Sequence, residues 1–213
     1  LAQKLKLYLS DKQAVEYSVE KVDSLVFTED TADASDSHEW VDLGLPSGTL
    51  WATCNVGANS PEEYGDYYAW GEVEPKVDYT RENYKWYEKG KGISLPGGVS
   101  DISGTEYDAA TANWGNGWRM PTKLELMELC ENTTAVWVNY NNVKGYRFIG
   151  PNGNSIFFPA TGFRNELGLD NEGNVSCWSS IAKDSDKAYY LYDTKLWDNW
   201  YRYYGRPIRA VKD

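Results

Sequence analysis

Trp40-Val41-Asp42-Leu43-Gly44-Leu45-Pro46-Ser47-Gly48-Thr49-Leu50-Trp51-Ala52 sets the texture of most of the chain: short apolar runs, each stopped by glycine or proline before it reaches helical length. Helices need roughly ten or more periodic residues, whereas strands of about four to eight tolerate such punctuation. The same alternation of short apolar segments with Gly, Pro and Asn turns recurs to the C-terminus, so many short strands and long loops are expected. Two segments break the pattern. Glu106 to Asn113 is rich in helix formers and closes at Gly115. Thr122-Lys123-Leu124-Glu125 fits a capping box after Pro121, with Leu126, Met127, Leu129 and Cys130 as its apolar stripe. Pro151-Asn152-Gly153-Asn154, between Gly145–Ile149 and Ser155–Pro159, has the chemistry of a hairpin turn. Ala188–Tyr192 and Ile208–Val211 read as further strands. The fold class is α+β: short antiparallel strands, two helices and long loops.

Upstream, Leu5, Leu7 and Leu9 alternate with polar residues, Ser10 to Gln13 reads as a turn, and Val15, Tyr17 and Val19 alternate again. Residues 1–28 therefore read as a small β-rich appendage. Residues 29–39 carry Asp30, Asp33 and Asp36 among small residues and no large apolar side chain, the composition of an acidic linker. Residues 40–213 form the main body.

Composition narrows the function. With 21 Lys and Arg against 32 Asp and Glu, the net charge of −11 repels phosphate backbones and anionic membrane surfaces, which argues against a nucleic-acid partner. No apolar run is long enough for a membrane span, and Leu1 to Leu7 alternates Lys with Leu instead of forming a signal core. The single histidine, His38, excludes histidine-based triads and His-rich metal sites. Cys54, Cys130 and Cys177 are dispersed and odd in number, which excludes a disulfide framework and any CxxC site; they read as small buried hydrophobes. Lys89-Gly90-Lys91-Gly92 and Pro96-Gly97-Gly98 lack the Lys-Ser/Thr of a phosphate loop and read as a surface insertion. The outstanding feature is aromatic: 10 Trp and 17 Tyr against 5 Phe. Trp and Tyr join a large apolar face to a polar tip, which suits half-buried positions and contact surfaces alike.

The ordered motifs Trp40 to Ala52, Tyr64-Gly65-Asp66-Tyr67-Tyr68-Ala69-Trp70-Gly71-Glu72, Tyr107-Asp108-Ala109-Ala110, Asn113-Trp114-Gly115, Trp118-Arg119-Met120-Pro121-Thr122, Phe158-Pro159-Ala160-Thr161-Gly162 and Gly205-Arg206-Pro207-Ile208-Arg209-Ala210-Val211 resemble the Fibrobacter succinogenes major paralogous domain, over nearly all of residues 38–213. That family is abundant in exported Bacteroidetes proteins. The resemblance implies a C-type-lectin-like fold, related to the formylglycine-generating-enzyme group and to variable proteins diversified by retroelements. It also implies Trp40, Trp51, Trp70, Trp114, Trp118 and Trp178 as core residues. Val19 to Phe27 resembles a segment near the N-termini of Bacteroidetes surface lipoproteins, which favours an extracellular or outer-membrane location.

In the retroelement-diversified relatives the ligand-binding residues fall just before the last strand. Here that place is held by Trp197, Asp198, Asn199, Trp200, Tyr201, Arg202, Tyr203 and Tyr204, whose rings would stack on sugars or protein surfaces while Asn and Arg add directional hydrogen bonds. The two-residue period of a strand turns about half of them inward. Calcium, which lectins of this fold use to hold sugar hydroxyls, would draw on Trp197-Asp198-Asn199 with Asp184 and Asp186, although the order departs from the lectin triplet Trp-Asn-Asp. No cysteine pair suits a formylglycine-type oxidase. The expectation is a non-catalytic, surface-exposed module that binds a glycan or protein ligand; the alternatives are a structural or adhesive module of an envelope assembly and an oxidase.

Overall fold

Strands β1 (Lys4–Tyr8) and β2 (Ala14–Ser18) pair antiparallel, Leu5 opposite Tyr17 and Leu7 opposite Val15, in the computed structural model, which describes residues 4–8, 14–18, 38–95, 98–115 and 117–213. The alternating leucines thus form the expected hairpin. The Val19 to Phe27 segment and the acidic stretch up to residue 37 lie outside the described residues. The chain divides into two compact units, Leu1–Ser37 and His38–Asp213.

In the second unit, small antiparallel sheets are joined by long loops and two helices. The opening motif becomes β3 (Trp40–Asp42) and β4 (Leu50–Ala52), which pair directly, and β15 (Val211–Lys212) adds to the other edge of β4. The first and last strands of the unit therefore share a sheet. Between them come the two-residue strands β5 (Tyr87–Glu88) and β6 (Gly92–Ile93) and the meander β7 (Thr134–Tyr140), β8 (Val143–Ile149) and β9 (Ser155–Pro159). The hairpin β10 (Phe163–Asn165) and β11 (Gly168–Asp170) follows, then the sheet β12 (Ser176–Ala182), β13 (Lys187–Tyr192) and β14 (Lys195–Tyr201).

The β8–β9 hairpin falls where its turn residues placed it. Strand β7 was missed: its two-residue connection, Asn141-Asn142, has positive φ at both positions (48° and 67°), which asparagine tolerates better than most residues. Residues 89–91 form the turn of the β5–β6 hairpin, and Ile93 and Leu95 are buried, so this stretch is more than a surface insertion.

Helix α1 is Ala109–Trp114, starting later than expected because Asp108 is its N-cap. The buried Asp108 carboxylate accepts from the backbone N–H groups of Gly104, Ala110, Thr111 and Met120, fastening the helix start to two loops. Helix α2, Lys123–Asn132, has the expected capping box between Thr122 and Glu125. Leu126 and Leu129 are fully buried, but Met127, assigned to the apolar stripe, is exposed.

Sheet β12–β13–β14 separates two bodies of core by the alternation of its strands. Trp178, Ala188 and Tyr190 face Trp70, Trp118 and Ile208; Cys177 and Leu191 face Leu126 and Leu129 of α2. Trp51, Trp70, Trp118 and Trp178 are core residues as expected, Trp114 is half-buried, and Trp40, at 49% exposure on an edge strand, is not core.

The excess of Tyr and Trp over Phe has a structural use. A loop-rich body leaves carbonyls without ladder partners, and each needs a donor once buried. Trp70 Nε1 donates to Ser179 O, Trp178 Nε1 to Tyr68 O, Trp86 Nε1 to Gly71 O, and the Tyr67 and Tyr84 hydroxyls to Thr161 O and Trp70 O, at 2.5–2.9 Å. Phenylalanine offers no donor, so in its place these carbonyls would lose that bond; of the five, Tyr68 O also accepts from the Arg206 amide.

Candidate ligand-binding site

On the side of the sheet that carries Trp178, Tyr190 and Tyr192 stand two apart on β13, so both point the same way. Across the ladder Tyr190 lies opposite Trp197 and Ala188 opposite Trp200. Two residues of β14, Asp198 and Asn199, therefore oppose the single Tyr189, which is a β-bulge. Its effect is specific: Trp197 and Trp200, three apart and normally on opposite faces, are brought to the same face. Together with Asn199 and Asn171 these four rings line a cavity of about 220 Å³.

The rim is partly fixed. The Tyr190 hydroxyl donates to Asn199 Oδ1 at 2.7 Å, which orients that amide and leaves its NH₂ as a donor. Trp197, 43% exposed, stands edge-on to Tyr192 with ring centroids 6.3 Å apart. Trp200 is half-buried and held by Phe163 and Tyr204, with centroids 4.9 and 5.4 Å away.

Behind the pocket lies Arg206, 0% exposed. Its guanidinium carbon stands 3.8 Å from the Tyr190 ring centroid, 4.6 Å from Phe163, 5.1 Å from Trp178 and 5.9 Å from Trp200. Nη1 donates to Ser176 Oγ, while Nε and Nη2 have no hydrogen-bond partner among the described residues. Burial lowers its pKa to about 10, which leaves it charged at neutral pH. The preceding Gly205 packs against Tyr79, where a Cβ would stand 2.6 Å from the ring.

The expected eight-residue tract splits. Trp197, Asn199 and Trp200 line the pocket; Tyr201, next along the strand, is exposed and stacks on Tyr203 at 5.1 Å. Asp198 forms a 2.7 Å ion pair with Lys183. Arg202, Tyr203 and Tyr204, expected among the ligand-binding residues, are buried because the chain leaves β14 after Tyr201 and turns inward. Arg202 lies over Trp70 at 4.4 Å and donates to the carbonyls of Asp184 and Lys187, so its role is to hold the β13 approach. Tyr190, Tyr192, Asn171 and Arg206 were not singled out in the sequence. The Tyr-x-Tyr spacing in a strand was the signal that could have found two of them.

The residues considered for calcium do not gather. Asp184 accepts from the Asp186 and Lys187 amides, Asp198 is paired with Lys183, and Asn199 Oδ1 holds Tyr190. Among the described residues no cluster of three or more His, Cys, Asp or Glu is placed to hold a metal. The three thiols are unpaired, and burial pushes Cys130 up to about 12 and Cys177 up to about 11, away from the thiolate that nucleophilic chemistry uses. Among the described residues no helix is long and apolar enough to cross a membrane.

Comparison with known proteins adds nothing to this geometry: no family model, curated protein or solved structure matches the chain.

Proposed function

We propose that residues 38–213 are a C-type-lectin-like recognition module of a surface-exposed bacterial protein, and that the β13–β14 pocket binds one sugar residue of a glycan. The observation that carries this is the bulge-built pocket, in which four aromatic rings and two asparagine side chains surround about 220 Å³. That volume is below the roughly 300–1,000 Å³ of drug-sized sites and suits a single ring with polar edges. Aromatic faces cover the C–H face of a sugar, and amides satisfy its hydroxyls. The fold assignment is supported by the opening motif and by the pairing of the first and last strands around two helices and long loops. The displaced thiol pKa values favour recognition over oxidase chemistry.

The test is a glycan-array screen of the full chain, followed by titration of each hit against Trp197→Ala and Tyr192→Ala. At least a tenfold loss of affinity in both, with unchanged melting temperature, is expected; tenfold corresponds to about 1.4 kcal/mol. Equal binding by wild type and both variants would put the site elsewhere. Failure of every glycan to bind, with self-association of the chain, would favour a structural or adhesive module.

A further inference from the structure

Resting on that pocket, the inference concerns the charge of its ligand. Three observations combine. Arg206 is a fully buried cation that forms no ion pair among the described residues, being packed against the rings of Tyr190, Phe163, Trp178 and Trp200. Two of its nitrogens have no hydrogen-bond partner among the described residues. The rings that enclose it, Tyr190 and Trp200, are also walls of the pocket, so the guanidinium lies behind the surface on which a ligand would rest.

A ring whose inner face already holds a cation is a poor platform for a second cation on its outer face, and its field favours a negative group there. Lys195, exposed, sits directly across the ladder from Tyr192 and so on the same face of the sheet. Three carboxylates lie nearby, and each is engaged. Asp170 accepts from the Asn171 amide and from Asn165, Asp193 from the Val175 amide and Asn174, and Asp198 is paired with Lys183. Distance and dielectric decide between these opposing charges. At equal separation a charge acting through the protein, at an effective dielectric of about 20, outweighs one acting through water at about 80 by roughly fourfold. The net charge of −11 is spread over the surface and screened beyond about 8–10 Å at ordinary ionic strength.

We propose that the pocket selects a carboxylate-bearing sugar, a hexuronic or related sugar acid, and that Arg206 is the residue that makes the selection.

The experiment titrates the full chain with a uronic-acid oligosaccharide and with the same oligosaccharide after carboxyl reduction, which replaces each carboxylate by a neutral hydroxymethyl group. The acid is expected to bind at least tenfold tighter, and its advantage should hold or grow as salt rises, because salt screens the surface carboxylates more than the buried guanidinium. Arg206→Met, checked for an unchanged circular-dichroism spectrum, should bring both forms to the same affinity. Because wild type alone gives the acid-to-neutral ratio, the proposal stays testable if that variant does not fold. Neutral sugar bound as well as or better than the acid, with loss of binding in Trp197→Ala, overturns the charge assignment and leaves the pocket intact. Binding of either form that is indifferent to Trp197→Ala overturns the pocket, and the charge assignment with it.

Discussion

Arg206 and Arg209 lie three residues apart in one chain segment, both fully buried, and they are held by opposite means. Arg209 uses all three of its nitrogens: Nε donates to Asn55 Oδ1, Nη1 to the carbonyls of Ala52 and Thr53, and Nη2 to that of Phe157, all at 2.9–3.1 Å. It ties the last segment to β4 and β9. Arg209 also lies over one ring, Phe158, at 4.3 Å, whereas Arg206 is enclosed by several, and among the described residues its guanidinium makes one hydrogen bond, to Ser176. Burial lowers both pKa values to about 10. The difference is therefore in the partners: one cation is hydrogen-bonded to the segments it joins, and the other is packed among rings.

Substitutions should separate the two. Arg209→Met leaves three buried carbonyls without their donor, at about 1–3 kcal/mol each. A loss of at least about 4 kcal/mol by urea denaturation is expected, and a loss under 1 kcal/mol would show that the four bonds are dispensable. Glu125 supplies an intermediate case, because it gives Arg119 the carboxylate that the other two arginines lack. Burial raises its pKa, but the Arg119 hydrogen bonds and the Thr122 cap outweigh this and leave it below the usual carboxylate value. A lowered carboxylate pKa stabilises above the unfolded value of about 4.3 and loses that contribution as pH falls through the folded value. Glu125→Gln should cost about 2 kcal/mol at pH 7. The gap from wild type should close below about pH 4, and a gap constant with pH would assign the cost to packing.

Smaller effects fall on the pocket side. Arg206→Met replaces an uncompensated charge with an apolar chain of similar length, so the lost ring contacts are offset by relief of desolvation. Stability within about 1 kcal/mol of wild type is expected; a loss as large as that for Arg209→Met would erase the contrast. Trp197→Ala removes an exposed ring and should change stability by under about 0.5 kcal/mol, checked by thermal melting.

How much of this was legible follows the range of the interactions. The Thr122–Glu125 capping box, the Pro151–Asn154 turn and the Leu5/Leu7 alternation are local, and each placed its element. Helix α1 was placed early at its start, at Glu106 instead of Ala109, although Asp108 caps it through local bonds to the Ala110 and Thr111 amides; its bonds to Gly104 and Met120, which tie that start to two loops, are what no local window shows. The aromatic tract gave Trp197, Asn199 and Trp200. It could not show that a bulge brings Trp197 and Trp200 to one face, because bulges belong to the pairing of two strands. Tyr190 and Tyr192 were within a recognised strand, but which face they shared with Trp197 depended on register. Arg206 and Arg209 are indistinguishable in sequence, since each is an arginine near a proline in the last segment; only their partners separate them.

Isothermal titration of the full chain and of Trp197→Ala with the strongest array ligand is the decisive measurement. Saturable one-to-one binding by wild type, weakened at least tenfold in a variant that melts at the same temperature, is expected. Unchanged binding by Trp197→Ala would contradict a recognition site in the β13–β14 pocket.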